Sequence, residues 1–300
     1  MDRWLAMQTL VRVVETGSFS AAARELGSTQ SAVSKQVAAL ERELGAQLLV
    51  RSTRALKLTE PGARYVEQAR RLVAEVAEAE AELRAGEQQL QGWLRVAASV
   101  AFGRLKLLPL VQSFLAAHPG VKVDLRLDDG FVDLIEQGID VAVRIGELPD
   151  SSLVARRVGT TRRAVLASPA YLARHPAPRV PADLVAHNCL VYSELSTRNA
   201  WRFVAGPGAD APVGQVEEVQ VSGNLQTNSS EVLRAALLSG QGLGYVPLWL
   251  VEPELARGEV VALLPGWTVQ DLPIHAVSPP QRRQSAKVRA LVEHLAGAGL

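Results

Sequence analysis

The sequence predicts an α/β protein with a small, mostly helical head at its N-terminus, and three features of its 300 residues predict this. Apolar residues recur at helical spacing through roughly the first 45 positions. A heptad seam runs from Tyr65 to Leu90, and from Trp93 onward short apolar strands alternate with helices. A chain of this length is expected to form two domains, or three small ones. With 48% hydrophobic and 21% charged residues it can bury cores and is too apolar to be disordered.

Lys and Arg number 32 against 31 Asp and Glu, so the net charge of +1 names no partner. Charge by segment says more. Residues 1–57 carry Arg3, Arg12, Arg24, Lys35, Arg42, Arg51, Arg54 and Lys57 against five acids, a net +3, whereas residues 61–92 hold four arginines against six glutamates, a net −2. The single cysteine, Cys189, excludes an internal disulfide framework and a multi-cysteine zinc site, and it suits a reducing cytoplasm. Asp2, Arg3 and Glu15 interrupt the N-terminal segment too early for a signal peptide. The apolar run 232–251 is broken by Arg234, Gln241 and glycines, so no membrane span is expected. The expectation is a soluble cytoplasmic protein.

Trp4, Met7, Leu10 and Val14 mark the first helix, which breaks at Gly17-Ser18. Ser18 is placed to cap a second helix that begins near Phe19 and ends at Gly27. A third starts between Thr29 and Ser31, carries Val33, Val37 and Leu40 on one stripe, and stops at Gly45. LLVRSTRALKL then predicts two short strands about Ser52-Thr53-Arg54-Ala55. Pro61 fits the first turn of a long helix with Thr59 as its cap. Its seam is Tyr65, Ala69, Leu72, Val76, Ala79, Leu83, Gly86 and Leu90, alternating fours and threes. Such a helix of about 30 residues would span about 45 Å and pair with a second copy; its alanines and Gly86 also suit a helix packed on its own domain.

Beyond Trp93, strands at Leu94–Ala98, Val121–Leu127 and Val141–Ile145 alternate with helices at Arg104–Ala117 and Phe131–Gln137. This βαβαβ run predicts a parallel sheet with right-handed crossovers. Further strands are expected near Ala164–Ala167, Val216–Val221, Gly244–Val246 and Ile274–Val277. Helices are expected after Pro169, from Ser229 to Leu238 and from Arg282 to Ala296. Two α/β subdomains joined by two crossing segments fit this pattern better than one large sheet.

Ala23, Gly27, Val33 and Val37 make the skeleton of a helix-turn-helix: a small residue for close approach, a glycine for the turn, and two β-branched residues four apart to lock the second helix. That helix presents Thr29, Gln30, Ser31, Ser34 and Lys35 at its N-terminal end, the part that meets base edges in a major groove. Gln can read adenine through a paired donor and acceptor, and Ser can contact base or phosphate. Arg51, Arg54 and Lys57 follow on the hairpin, spaced to lie along a phosphate backbone; taken alone they also read as a solvated basic loop.

The stretch GSFSAAARELGSTQSAVSKQVAALERELGAQLLVRSTRALKLTEPG resembles the winged helix-turn-helix of LysR-type transcriptional regulators. SFSAAARELG matches the first helix of the pair, QSAVSKQVAALERELG the recognition helix, and LLVRSTRALKLTEPG the wing. The likeness continues over essentially the whole chain and is most specific in the first 62 residues. It implies that Gln30, Ser31, Ser34 and Lys35 face the major groove of double-stranded promoter DNA, with Arg51 and Arg54 near phosphates or the minor groove. Thr29, Ser31, Val50 and Pro61 depart from the commoner residues, so no relative's operator can be copied.

The resemblance further implies a winged head over 1–60, a linker and dimerisation helix over 61–91, and a type 2 periplasmic-binding-protein-like effector domain over 92–300. Its first lobe would be about 92–162 and 267–300, its second about 163–266. It implies at least a homodimer and commonly a homotetramer, with RNA polymerase a candidate further partner. A small, anionic metabolite would bind between the lobes, where the carboxyl ends of strands also place ligands on general grounds.

The first such end is Ala98-Ser99, where the Ser99 hydroxyl and the amides of the following helix can hold a carboxylate and Phe102 can wall one side. Arg144 ends an apolar strand and can grip a carboxylate in bidentate fashion, or pair internally with Asp128, Asp129 or Asp140. Thr227 and Asn228 open a helix on the second lobe and can face Ser99; Asn228 also reads as an ordinary helix cap.

No GK pair, GxSxG elbow or HExxH helix occurs, so no enzyme, cofactor or metal site is expected. GPGADA at 206–211 and GQGLG at 240–244 read as turns, and HNCLVY as a strand with a buried, inert Cys189. The alternative from another class is a soluble solute-binding protein or enzyme with an incidental helical head.

Overall fold

Capping side chains set the first three helices. The Asp2 carboxylate accepts the Leu5 amide at 3.1 Å where α1 (Arg3–Thr16) begins, and Gly17 ends it at φ 64°. Ser18 accepts from the Ala21 amide to start α2 (Phe19–Glu25), and Thr29 accepts from the Ala32 amide at 3.2 Å to start α3 (Gln30–Leu44). Between them Gly27 turns the chain at φ 60°, a state that side chains resist. This is a computed structural model that describes residues 2–51, 56–85, 90–130, 133–193, 199–268 and 271–300. They form two compact units, Met1–Gly92 and Trp93–Leu300.

In the first unit Ala22 and Ala23 of α2 meet Val33, Val37 and Leu40 of α3 in one core with Leu10 and Val13, all at most 3% exposed. The predicted helix-turn-helix skeleton is therefore its packing contact. A hairpin follows, β1 (Leu49–Arg51) antiparallel to β2 (Leu56–Leu58), with Leu49 opposite Leu58. Glu41 of α3 accepts the amides of Leu48 and Leu49 at 2.8 and 3.0 Å, which fastens the hairpin to α3. The Thr59 hydroxyl accepts from Gly62 at 3.0 Å and donates to the Gln47 carbonyl at 2.6 Å, starting α4 (Glu60–Ala85). Its 26 residues span about 39 Å. Val66 and Ala69 are buried, whereas the next seam positions, Leu72 and Val76, are 49% and 39% exposed. Gly86 lies outside the described residues.

The second unit holds two lobes. In the first, β3 (Gly92–Ala98), β4 (Val121–Leu127), β5 (Val141–Ile145) and β6 (Val154–Thr161) join β15 (Leu272–Ser278) in the order β4-β3-β5-β15-β6. Only part of this sheet is parallel. β3 runs parallel to β5, but β15 returns from the far end of the chain and pairs antiparallel with both β5 and β6. The alternating pattern could not show that insertion, so the expected parallel sheet is corrected to a mixed one. The expected helix at 131–137 is also corrected: residues 134–138 form turns that end at Gly138 (φ 62°), with the Asp133 carboxylate accepting the amides of Ile135 and Glu136. Phe131 and Val132 lie outside the described residues.

The second lobe pairs β7 (Arg163–Ala167), β8 (Cys189–Tyr192), β11 (Gln226–Thr227), β12 (Leu243–Pro247) and β13 (Val261–Ala262) in the order β11-β8-β12-β7-β13. A smaller antiparallel sheet sets β9 (Ala200–Ala205) between β10 (Val216–Gln220) and β14 (Trp267–Thr268). β14 thus carries Trp267 into the second lobe. The chain crosses between lobes at Arg162 and again between β14 and β15.

One helical run, Val100–Ala117, has the length and mean hydropathy (1.3) of a membrane span. It is built from α5 (Val100–Phe102), a π turn (Gly103–Leu107) and α6 (Leu108–Ala117), and its Ala101, Phe102, Leu107, Val111 and Phe114 are buried in the cores of this unit.

Gly62 tests the packing of hairpin on helix. A Cβ there would lie 2.0 Å from the Leu48 carbonyl oxygen. Gly62→Ala should therefore destabilise the protein by about 1–3 kcal/mol in urea unfolding, although Ala is the better helix former by about 1 kcal/mol. A stabilised variant would refute that contact.

Candidate functional site

The recognition surface comes from the N-terminal half of α3. Val33, Val37 and Leu40 turn inward, which leaves Gln30, Ser31 and Lys35 exposed and Ser34 half-buried on the opposite side. Residues 30, 31, 34 and 35 share that side by helical spacing. Thr9 of α1 reaches Gln36 at 2.8 Å and fixes the rotation of α3 about its axis. Lys57 is exposed on β2. Arg51 lies in β1 but its side chain, and all of Arg54, fall outside the described residues.

A cavity of about 360 Å³ opens in the second unit at the carboxyl ends of β3, β5, β8 and β12. Ser99 and Arg144 line it. Phe102 does not: it is 1% exposed and meets the edge of Trp249 at 5.3 Å, and Trp249 is the ring that walls the cavity. Thr227 and Asn228 are also absent from the lining. The Thr227 hydroxyl accepts the Ser229 amide at 3.1 Å, Ser229 caps α8 (Ser230–Leu238), and Ser230 is the residue that reaches the cavity. The helix expected from Ser229 begins one residue later, at Ser230.

At the expected anion site, the first amide of α5 is taken by a side chain. Asp129, on the loop after β4, accepts the Val100 amide at 2.9 Å, and the Ser99 hydroxyl makes no cap bond. Asp140, one predicted partner for Arg144, is instead taken by the Arg95 amide at 2.7 Å and the Arg282 guanidinium at 3.3 Å. Burial lowers the pKa of Arg144.

The residue that sequence reasoning missed is Arg163. It opens β7, lines the cavity, and lies 5.6 Å from the Tyr245 ring centroid. Its Nε is shielded from solvent and finds no acceptor, and no carboxylate among the described residues pairs with it. Burial pulls its pKa down, against a smaller opposing effect of Tyr245 and Tyr192. The Nε1 of Trp249, on the same cavity, is likewise buried without an acceptor. The period of β7 was the available signal, since Arg163 shares a face with buried Val165 and Ala167.

The helix Val100–Ala117 ties the lobes along one flank. Ala101 enters the core of the second lobe beside Leu233 and Leu237, and Arg104 and Lys106 pair with Glu231 and Glu252 at 2.5 and 2.7 Å. Cys189 is buried, with its thiol pushed up to about 12 by desolvation, and His187 contacts the Tyr171 hydroxyl at 3.1 Å. That thiol is poorly suited to nucleophilic chemistry.

Comparison with known proteins agrees with this geometry. Residues 4–63 match the model for the bacterial regulatory helix-turn-helix protein, lysR family, and residues 87–299 match the LysR substrate binding domain. The chain is 36% identical over 290 residues to the HTH-type transcriptional regulator CrgA of Neisseria meningitidis, covering 96% of this chain and 94% of that protein. It is 36% identical over 295 residues to the HTH-type transcriptional activator AaeR of Escherichia coli, covering 98% and 93%. The solved CrgA structure aligns with a TM-score of 0.62 at 35% identity over 98% of this chain and 97% of that one. The virulence activator AphB of Vibrio cholerae aligns at 0.61 and 26% identity over 98% and 99%. The chain belongs to the LysR family of transcriptional regulators, with an N-terminal helix-turn-helix and a C-terminal effector-binding domain.

Proposed function

We propose that this regulator responds to a small anionic metabolite bound in the 360 Å³ cavity, with Arg163 and Arg144 meeting its negative charge and Ser99, Ser230 and the Trp249 indole orienting it. Arg163, with its Nε shielded and no partner for it among the described residues, carries this reading. A buried cation is costly until an anion joins it. Tyr192, Tyr245 and Trp249 supply flat apolar walls.

For the head, the reading is sequence-specific binding of double-stranded promoter DNA through Gln30, Ser31, Ser34 and Lys35, with Arg51 and Arg54 on the wing. The exposed Leu72 and Val76 on α4 support pairing with a second copy. A homodimer is the minimum unit, a homotetramer fits the family, and RNA polymerase is a further partner. Such a protein works in the cytoplasm as a regulator and not as a catalyst.

The purified protein should retard DNA from immediately upstream of its own coding sequence, with affinity falling steeply as salt rises. No retardation even at low salt would favour a solute-binding protein or an enzyme. Gln30→Ala should weaken specific binding by about 1–3 kcal/mol and spare random DNA; equal loss on both would make Gln30 a phosphate contact. Asp129→Asn removes a negative charge from the cavity. In a reporter driven by the same upstream DNA and fed an inducing extract, it should lower the half-maximal dose by up to about ten-fold. A raised dose would mean that Asp129 holds a cationic group of the effector.

A further inference from the structure

We propose that a second cavity of the regulatory unit, beside Arg162 and Asp271, binds a neutral, ring-containing, mostly apolar molecule that carries a hydrogen-bond acceptor. The cavity measures about 590 Å³ and is walled by Val165, Phe203, Leu263 and Leu264. Trp267 completes the wall. It is 8% exposed, and its Nε1 finds no acceptor among the described residues. A shielded N–H without an acceptor is a standing cost that an incoming acceptor removes.

The wall is held in place. The Gly206 amide donates to the Gly266 carbonyl at 2.8 Å, and a Cβ on Gly266 would fall 2.4 Å from the Ala209 nitrogen. Leu264 keeps φ at 56°, an uncommon state for a leucine and one that a well-packed surround must enforce.

Charge decides the ligand class. Arg162 and Asp271, both lining residues, neutralise each other at 2.8 Å. Arg163 lines this cavity and the first, so an anion here would compete with the effector for one guanidinium. A neutral occupant leaves Arg163 to the effector. Arg162 stands where the chain leaves the first lobe, and Asp271 where it returns, so the occupant lies against both crossings.

The test is a fluorine NMR titration of the full-length protein with 4-fluoroacetophenone. Saturable binding is expected. Trp267→Phe keeps the wall but loses the donor and should weaken binding about five-fold, and Leu263→Trp should also weaken it by narrowing the cavity beside Trp267. Crystals of the native protein soaked in 4-bromoacetophenone should show bromine in this cavity, which decides the matter if either variant loses its native unfolding transition. Absence of saturable binding, binding unchanged in both folded variants, bromine found elsewhere, or tighter binding of 4-fluorobenzoate than of the ketone would each overturn the proposal.

Discussion

A guanidinium whose Nε is shielded from water, with no carboxylate among the described residues paired to it, constrains the cavity of the regulatory unit. Arg163 is the first residue of β7, directly after the crossing at Arg162, and its register opposite Pro247 sets it next to Tyr245. The cation–π contact with that ring returns about 1 kcal/mol, whereas shielding an unpaired ion costs several. Burial opposes the charge of Arg163 more than Tyr245 and Tyr192 support it. Both lobes and the carboxyl ends of β3, β5, β8 and β12 meet at this cavity, where an anion would offset that cost.

Asp129 sharpens this picture. By accepting the Val100 amide it satisfies the start of the Val100–Ala117 run internally, and its charge stands in the same cavity as Arg144 and Arg163. In the proposed reading an anion would be met by guanidinium groups and not by the Val100 amide. Because that run also inserts Ala101 into the second lobe, the element capped by Asp129 is one contact between the lobes.

The head was legible because its determinants are local. Asp2, Ser18 and Thr29 cap helices three residues ahead, and Ala23, Val33 and Val37 meet within a span short enough for helical period alone to identify them. The regulatory unit was read correctly as alternating strands and helices in two lobes but not in its sheet directions, because β15 is inserted between β5 and β6 from more than a hundred residues away. The strand β6 hid behind Arg156, Arg157 and Gly159; as the edge of its sheet it exposes its arginines and shows no apolar alternation. Ser99 and Arg144 were found at strand ends, where the topology places ligands. Thr227 and Asn228 fall short of the lining because Ser229, not Asn228, caps α8 and Ser230 is the residue that reaches the cavity, and Phe102 lies one ring behind Trp249. Arg163 was missed because an arginine beside Arg162 reads as surface until the faces of β7 are assigned.

The most direct test needs no knowledge of the effector. Arg163→Met keeps the bulk and removes the charge, so the full-length variant without added ligand should unfold about 2–5 °C higher than the native protein, while induction of the reporter is lost. A lower unfolding midpoint with induction intact would show that Arg163 serves stability and that the cavity does not use it to recognise an anion.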